Sequence, residues 1–144
     1  MLKKLDNKQV GEYWNEIKPA IRKAFPRQPR DVEDWLNKLL EKILRDEGQV
    51  WIGLDEVGKV VFILVTLFIE DPCSGSKQLL VYSLFGYRLV EDKLWKKSQE
   101  TLKTFALDSK CNELVAYSEV ERVVDIAKKT GADVSTTFIQ WRLR

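Results

Sequence analysis

The chain has 144 residues, 44% of them hydrophobic and 32% charged, with a formal net charge of +2. That length and balance describe one ordinary folded domain, residues 1–144, and exclude a disordered chain. The small charge gives no electrostatic case for nucleic acid, and the absence of histidine removes the commonest general base, the commonest zinc ligand and the usual serine and cysteine triads.

Met1–Leu5 reads as a short edge strand, with no apolar run of signal-peptide length. From Asn7 to Phe25, Val10, Tyr13, Trp14, Ile17, Ile21 and Ala24 fall at helical spacing. Pro19 lies inside that pattern and predicts a kink or restart. Asp31 can cap a second helix, whose stripe is Val32, Trp35, Leu36, Leu39, Leu40, Ile43 and Leu44, with Gly48 as its expected stop. Trp14 and Trp35 read as core residues rather than a stacking platform.

Three strands are predicted next: Val50–Leu54, Lys59–Glu70 and Gln78–Tyr87. The turns between them, Asp55–Gly58 and Asp71–Ser76, carry Asp, Gly, Pro and Ser, which is hairpin chemistry. The middle run is almost continuously apolar, which suits a strand covered on both faces. It is about half the length a membrane-spanning helix needs, so no membrane segment is expected and the compartment reads as cytoplasmic. A long helix, Glu91–Asp108, follows, then a short buried strand at Leu114–Tyr117. A helix at Glu119–Lys129 stops at Thr130-Gly131. The last run, Asp133–Leu143, sets Thr137, Ile139, Trp141 and Leu143 against Ser135, Gln140 and Arg142 and reads as a strand. Cys73 and Cys111 sit in unrelated segments and read as free thiols, with no metal site. Hairpins first and strand–helix–strand crossovers later imply an α/β (α+β) domain: a mixed, mostly antiparallel central sheet with helices on both faces.

That order, with the helix pair ahead of Val50-Trp51-Ile52-Gly53-Leu54 and the Gly58 hairpin, resembles the GCN5-related N-acetyltransferase (GNAT) superfamily. The strand Leu79–Phe85 leading into a long helix, and the helix end Thr130-Gly131-Ala132-Asp133, carry the resemblance further. Tyr13–Ile21 followed by the Trp51-Ile52-Gly53-Leu54 strand is similar to small GNAT-like proteins of tailed bacteriophages and prophages, which would place the chain in a virion or host cytoplasm.

The resemblance implies an acyl-coenzyme A loop of pattern [QR]-x-x-G-x-[GA] at Arg88, Leu89, Val90, Glu91, Asp92 and Lys93. Arg88 matches. Glu91 and Lys93 replace the glycines, and the carboxylates of Glu91 and Asp92 are expected to fill the helix start and repel a diphosphate. Gly86 reads as a plain strand end, with a bulge where strands splay, as the family uses to admit the pantetheine arm, as the alternative. The family's tyrosine acid falls at Ala127; the remaining weak catalytic candidates are Glu70, beside Asp71 at a strand end, and Tyr117. The reading is therefore a GNAT-fold protein that has lost acetyl transfer and serves as a binding or structural module for protein partners. It needs no cofactor, and homo-oligomerisation stays open. The alternative is an acyl-CoA-dependent N-acyltransferase with an atypical loop, for which acyl-CoA is the cofactor. A third reading is a nucleic-acid-associated protein using Arg22, Lys23, Arg27 and Arg30 around the proline break, against the plainer reading of that cluster as a solvated inter-helix loop.

Overall fold

The computed structural model describes residues 1–118 and 120–143. Its elements run β1 (Leu2–Lys4), α1 (Asn7–Ala24), α2 (Val32–Leu44), β2 (Gly48–Leu54), β3 (Val60–Glu70), β4 (Lys77–Gly86), α3 (Asp92–Asp108), β5 (Glu113–Ala116) and α4 (Glu121–Lys129). The strands form one sheet in the order β1-β2-β3-β4-β5; β5 joins β4 in parallel and the other pairs are antiparallel. No helix among the described residues is long and apolar enough to cross a membrane.

β3 is the strand on which the layers are built. Val61 through Leu67 are all buried, because successive side chains point to opposite faces and both faces are covered. Ile63, Val65 and Leu67 pack against α1 and α2 through Val10, Trp14, Ile17, Leu36, Leu39 and Ile43. Phe62, Leu64 and Phe68 face α3 through Leu102, Ala106, Trp95 and Phe105. Trp14 is core, as expected, and Trp35 packs on Phe25 and Tyr82. Gly53 is required where β2 crosses β3: a Cβ there would run into the Phe62 ring.

Local chemistry sets the helix ends. Asp6 and Gln9 form a reciprocal capping box at the start of α1, and the Asp31 carboxylate accepts from the Asp34 amide at the start of α2. α1 runs unbroken through Pro19, contrary to the expected restart. Pro19 removes one helical donor, but its would-be acceptor residue Asn15 and Pro19 itself are exposed, so water takes that bond. α2 ends at Leu44, and Asp46, just past the cap residue Arg45, takes the left-handed φ of 61° that was expected of Gly48. Gly48 is instead the first residue of β2, so close to Leu67 that a side chain would clash.

Two other expectations fail. Asp133–Leu143 is not a strand: residues 132–143 carry no regular structure. The alternating pattern is present, but among the described residues its backbone bonds to no strand, so no ladder holds it extended. Tyr117 is not core; it lies beyond the end of β5, 69% exposed, because β5 stops at Ala116. β5 itself is only half buried. The expected α4 begins at Glu119, which falls outside the described residues.

The α3-facing layer holds a buried polar chain. Trp51 Nε1 donates to Thr66 Oγ1 at 2.9 Å, and that hydroxyl donates to Gln49 Oε1 at 2.6 Å. Thr66 thus satisfies two buried groups at once. Thr66→Val keeps the shape and strands both partners, so it should lower stability by about 1–3 kcal/mol in urea unfolding, while Thr66→Ser should retain most of it.

Candidate functional site

Between β4 and α3 the chain turns through Tyr87–Glu91 and opens a cleft of about 720 Å³. Its walls are the β2–β3 hairpin (Leu54, Asp55, Glu56, Val57), the Arg88–Glu91 turn, and the first two turns of α3 with Lys93, Leu94 and Lys97. All six positions marked by the resemblance belong to this turn and helix start. Val90 is buried and anchors it, while Leu89 is 80% exposed.

Among the described residues, the backbone N–H groups of Arg88 through Lys93 meet no acceptor. Glu91 is the N-cap of α3, yet its side chain makes no capping hydrogen bond. Asp92 turns away to Arg122 on α4, which donates to its carboxylate at 2.8 Å and to the Val90 carbonyl at 2.7 Å. The expectation that these two carboxylates fill the helix start therefore fails: one makes no bond to the amides and the other is neutralised from α4. A helix start with open amides carries partial positive charge and suits an anion.

The charges around the cleft are balanced. Asp55 accepts from the Val57 and Lys59 amides, which closes the hairpin, and from Arg88. Those amides, the Lys59 one foremost, and the Arg88 guanidinium hold the Asp55 carboxyl below its usual range. Lys93 and Lys97 form no ion pair among the described residues. Arg88 is thus tied back by the hairpin, and the two lysines remain to meet an incoming anion.

Next to this cleft the sheet comes apart. β4 pairs with β5 only from Gln78–Glu113 to Val81–Ala116, then runs on to Gly86 with no β5 partner. The pairing with β3 shifts at the same place: Val65 faces Ser83 and Thr66 faces Val81, leaving Tyr82 as the extra residue. Such a bulge bends and twists its strand. The bulge sits at Tyr82 and not at Gly86, which remains in register with Phe62 and is the last residue of β4, a plain strand end. Neither Tyr87 nor Tyr117 seals the opening, since both are exposed, and Trp95 is stacked on Phe62 in the core.

No family model matches the sequence, and comparison with curated proteins finds no match. Solved structures do match over the whole chain. One is a predicted acetyltransferase with acetyl-CoA from Clostridium acetobutylicum, with a TM-score of 0.73 at 11% identity, covering 99% of this chain and 96% of that one. The chain has the GNAT fold. AAC(6')-Iy in complex with a bisubstrate analogue matches with a TM-score of 0.71 at 16% identity, over 100% of this chain and 97% of that one. An aminoglycoside acetyltransferase from an uncultured soil metagenomic sample, in complex with sisomicin, matches with 0.69 at 18%, over 100% and 96%.

Within this GNAT fold the other sequence candidates scatter. Glu70 is at the far end of β3, paired with Lys77 and eight residues from Phe62, which is about 26 Å along the strand. Asp71 caps the β3–β4 turn by accepting from the Cys73 and Ser74 amides, which lower its pKa. Tyr117 stacks on Phe138. Of the four basic residues at the proline break, Arg22 and Lys23 line a smaller cleft of about 380 Å³ with Lys18 and Gln28, while Arg27 and Arg30 stand outside it. Sequence reasoning missed Asp55, whose Asp-x-x-Gly setting signals only a turn. It also missed Arg122, which lies 30 residues from Asp92.

Asp55→Asn should preserve the two hairpin bonds and free Arg88. Binding of inorganic pyrophosphate, as an anion probe at pH 7, should then tighten by about 2–5-fold in calorimetric titration, the range of an exposed ion pair. Because the Asp55 pKa is lowered on folding, its contribution to stability is complete above the ordinary value near 3.8 and is lost as pH falls through the lowered one. The Asn variant should show a shallower fall of melting temperature in that acid range.

Proposed function

We propose that this chain is an acyl-coenzyme A-dependent N-acyltransferase whose cofactor diphosphate sits at the start of α3. The observation that carries this reading is the run of unengaged amides from Arg88 to Lys93, flanked by Lys93 and Lys97 and set beside the gap where β4 outruns β5. The structures it resembles include ones described with acetyl-CoA and with a bisubstrate analogue. Bound there, acyl-coenzyme A supplies a thioester-activated acyl group to an amine.

The chain's own part is to hold the diphosphate, shape the gap and manage a proton. The amides and the two lysines hold the negative charge. Glu91 and Lys93 stand in place of glycines, and the Glu91 side chain makes no capping bond to the amides. Among the sequence candidates none is placed for proton transfer, and Ala127 offers no acid. We take Tyr82 as the candidate acid: it occupies the bulge, one residue past the last β4–β5 pair, with its ring beside Phe25 and Trp35 on the face of the sheet that α1 and α2 cover. Its hydroxyl accepts from Trp35 Nε1 at 2.9 Å, which fixes the oxygen and leaves the O–H free to donate toward a leaving thiolate.

A second reading is supported by the same absence at Ala127 and by the exposed Tyr117: a GNAT-fold module, of a kind found in phage or prophage settings, that binds a partner without acyl transfer. Thermal shift separates the two. Coenzyme A at 100 times its dissociation constant should add about 2.7 kcal/mol of stability, and no shift at millimolar coenzyme A removes the transferase reading. A shift with no release of free thiol from acetyl-CoA across an amine panel favours the binding module. If transfer is found, Tyr82→Phe should lower kcat by about 100-fold with little change in coenzyme A affinity.

A further inference from the structure

The surplus of positive charge on this chain is local. Between positions 18 and 34 lie five cations, Lys18, Arg22, Lys23, Arg27 and Arg30, against three acids, and the rest of the chain carries equal numbers of each sign, so the whole net charge of +2 resides in this stretch. Of the three acids, Asp31 caps α2 and Asp34 pairs with Lys38, which leaves Glu33 as the one carboxylate lining the cleft between α1 and α2. None of the five cations forms an ion pair among the described residues. Arg22 and Lys23 complement the C-terminal end of α1, but Lys18, Arg27 and Arg30 stand outside its last turn. The cleft, about 380 Å³, gathers Lys18, Arg22 and Lys23 with the side-chain amides of Asn15 and Gln28. Gln28 Nε2 donates to the Arg22 carbonyl at 2.9 Å and folds the proline loop back onto the helix end.

That basic helix end lies over the part of β4 that has no β5 partner. Lys23 Nζ is 5.6 Å from the centre of the Phe85 ring, and the Phe25 and Tyr82 rings are 5.2 Å apart. Tyr82 and Phe85 both follow Val81, the last residue of β4 paired with β5. Lys23 therefore belongs to the cleft and to the rim of the gap at once. On the acyltransferase reading, we propose that the acyl acceptor is an amine carrying an anionic group, a phosphate or a carboxylate, which Arg22 and Lys23 hold while the amine reaches the gap beside Tyr82. Charge-assisted hydrogen bonds from these side chains suit such a group. The same cations repel an acceptor with several ammonium groups. They also favour the neutral, nucleophilic form of the one amine that must react, because a nearby like charge disfavours protonation. The transfer balances as usual: the C–N bond forms as the C–S bond breaks, one proton leaves nitrogen and one reaches the thiolate.

Two measurements test this. In the first, inorganic phosphate is titrated without coenzyme A and followed by amide NMR. The Arg22, Lys23 and Gln28 signals should move as a set distinct from Leu89–Lys93, with an affinity that falls about 10-fold in the double variant Arg22→Gln/Lys23→Gln, the loss of two exposed charge contacts. In the second, free-thiol release from acetyl-CoA should favour O-phosphoethanolamine or β-alanine over ethanolamine and spermidine by about 10-fold in kcat/KM; the two anionic amines tell phosphate from carboxylate. That preference should shrink by a similar factor in the double variant, and also as salt rises from about 50 to about 500 mM. Phosphate that leaves residues 22, 23 and 28 unmoved overturns the anion site. Ethanolamine or spermidine acylated as fast as the anionic amines, or a preference intact in the double variant, overturns the acceptor class while the transferase reading stands. Phosphate bound at Arg22 and Lys23 with no amine acylated does the reverse: the transferase reading fails, and the acceptor role falls with it.

Discussion

Everything in this fold follows from one strand having no wet side. Seven consecutive buried residues on β3, Val61–Leu67, commit the chain to apolar cover above and below the sheet. α1 and α2 supply one cover and α3 the other. The hairpin before β3 and the turn after β4 then lie at the same end of the sheet, because antiparallel neighbours bring Phe62 opposite both Gly53 and Gly86. The cleft is the space between those two connections. Its position is a consequence of pairing register, not of any residue selected for a ligand.

The second constraint is where β4 changes partners. With an extra residue at Tyr82 the strand bends away, and β5, only four residues long, does not follow it. Neighbouring strands are normally ≈ 4.8 Å apart and closed by hydrogen bonds; here the closure ends at Val81, and β4 runs on alone toward the turn with the free amides. A narrow ligand with an anionic end and an extended arm suits such a slot better than a compact one.

Much of the architecture was legible in the sequence because it rests on pattern. The apolar run of β3, the stripe of α2 and the turn chemistry at Asp55–Gly58 each act locally, and each is found where the residues put it. The site was legible in place but not in state. Reading Glu91 and Asp92 as a plug assumed that a carboxylate at a helix start caps it; the position of Arg122, set by the packing of α4, decides otherwise for Asp92. The bulge at Tyr82 is a relation between two strands, and no residue near it signals one. Segment 133–143 shows the converse failure, a strand pattern with no ladder to realise it.

Arg122 binds the Val90 carbonyl and the Asp92 carboxylate together, so the fourth helix and the anion-facing turn share a mechanical link. α4 also leads into segment 133–143. Any event that displaces α4 is then coupled to the shape of that turn, and whatever binds at the turn bears on α4 to the same extent.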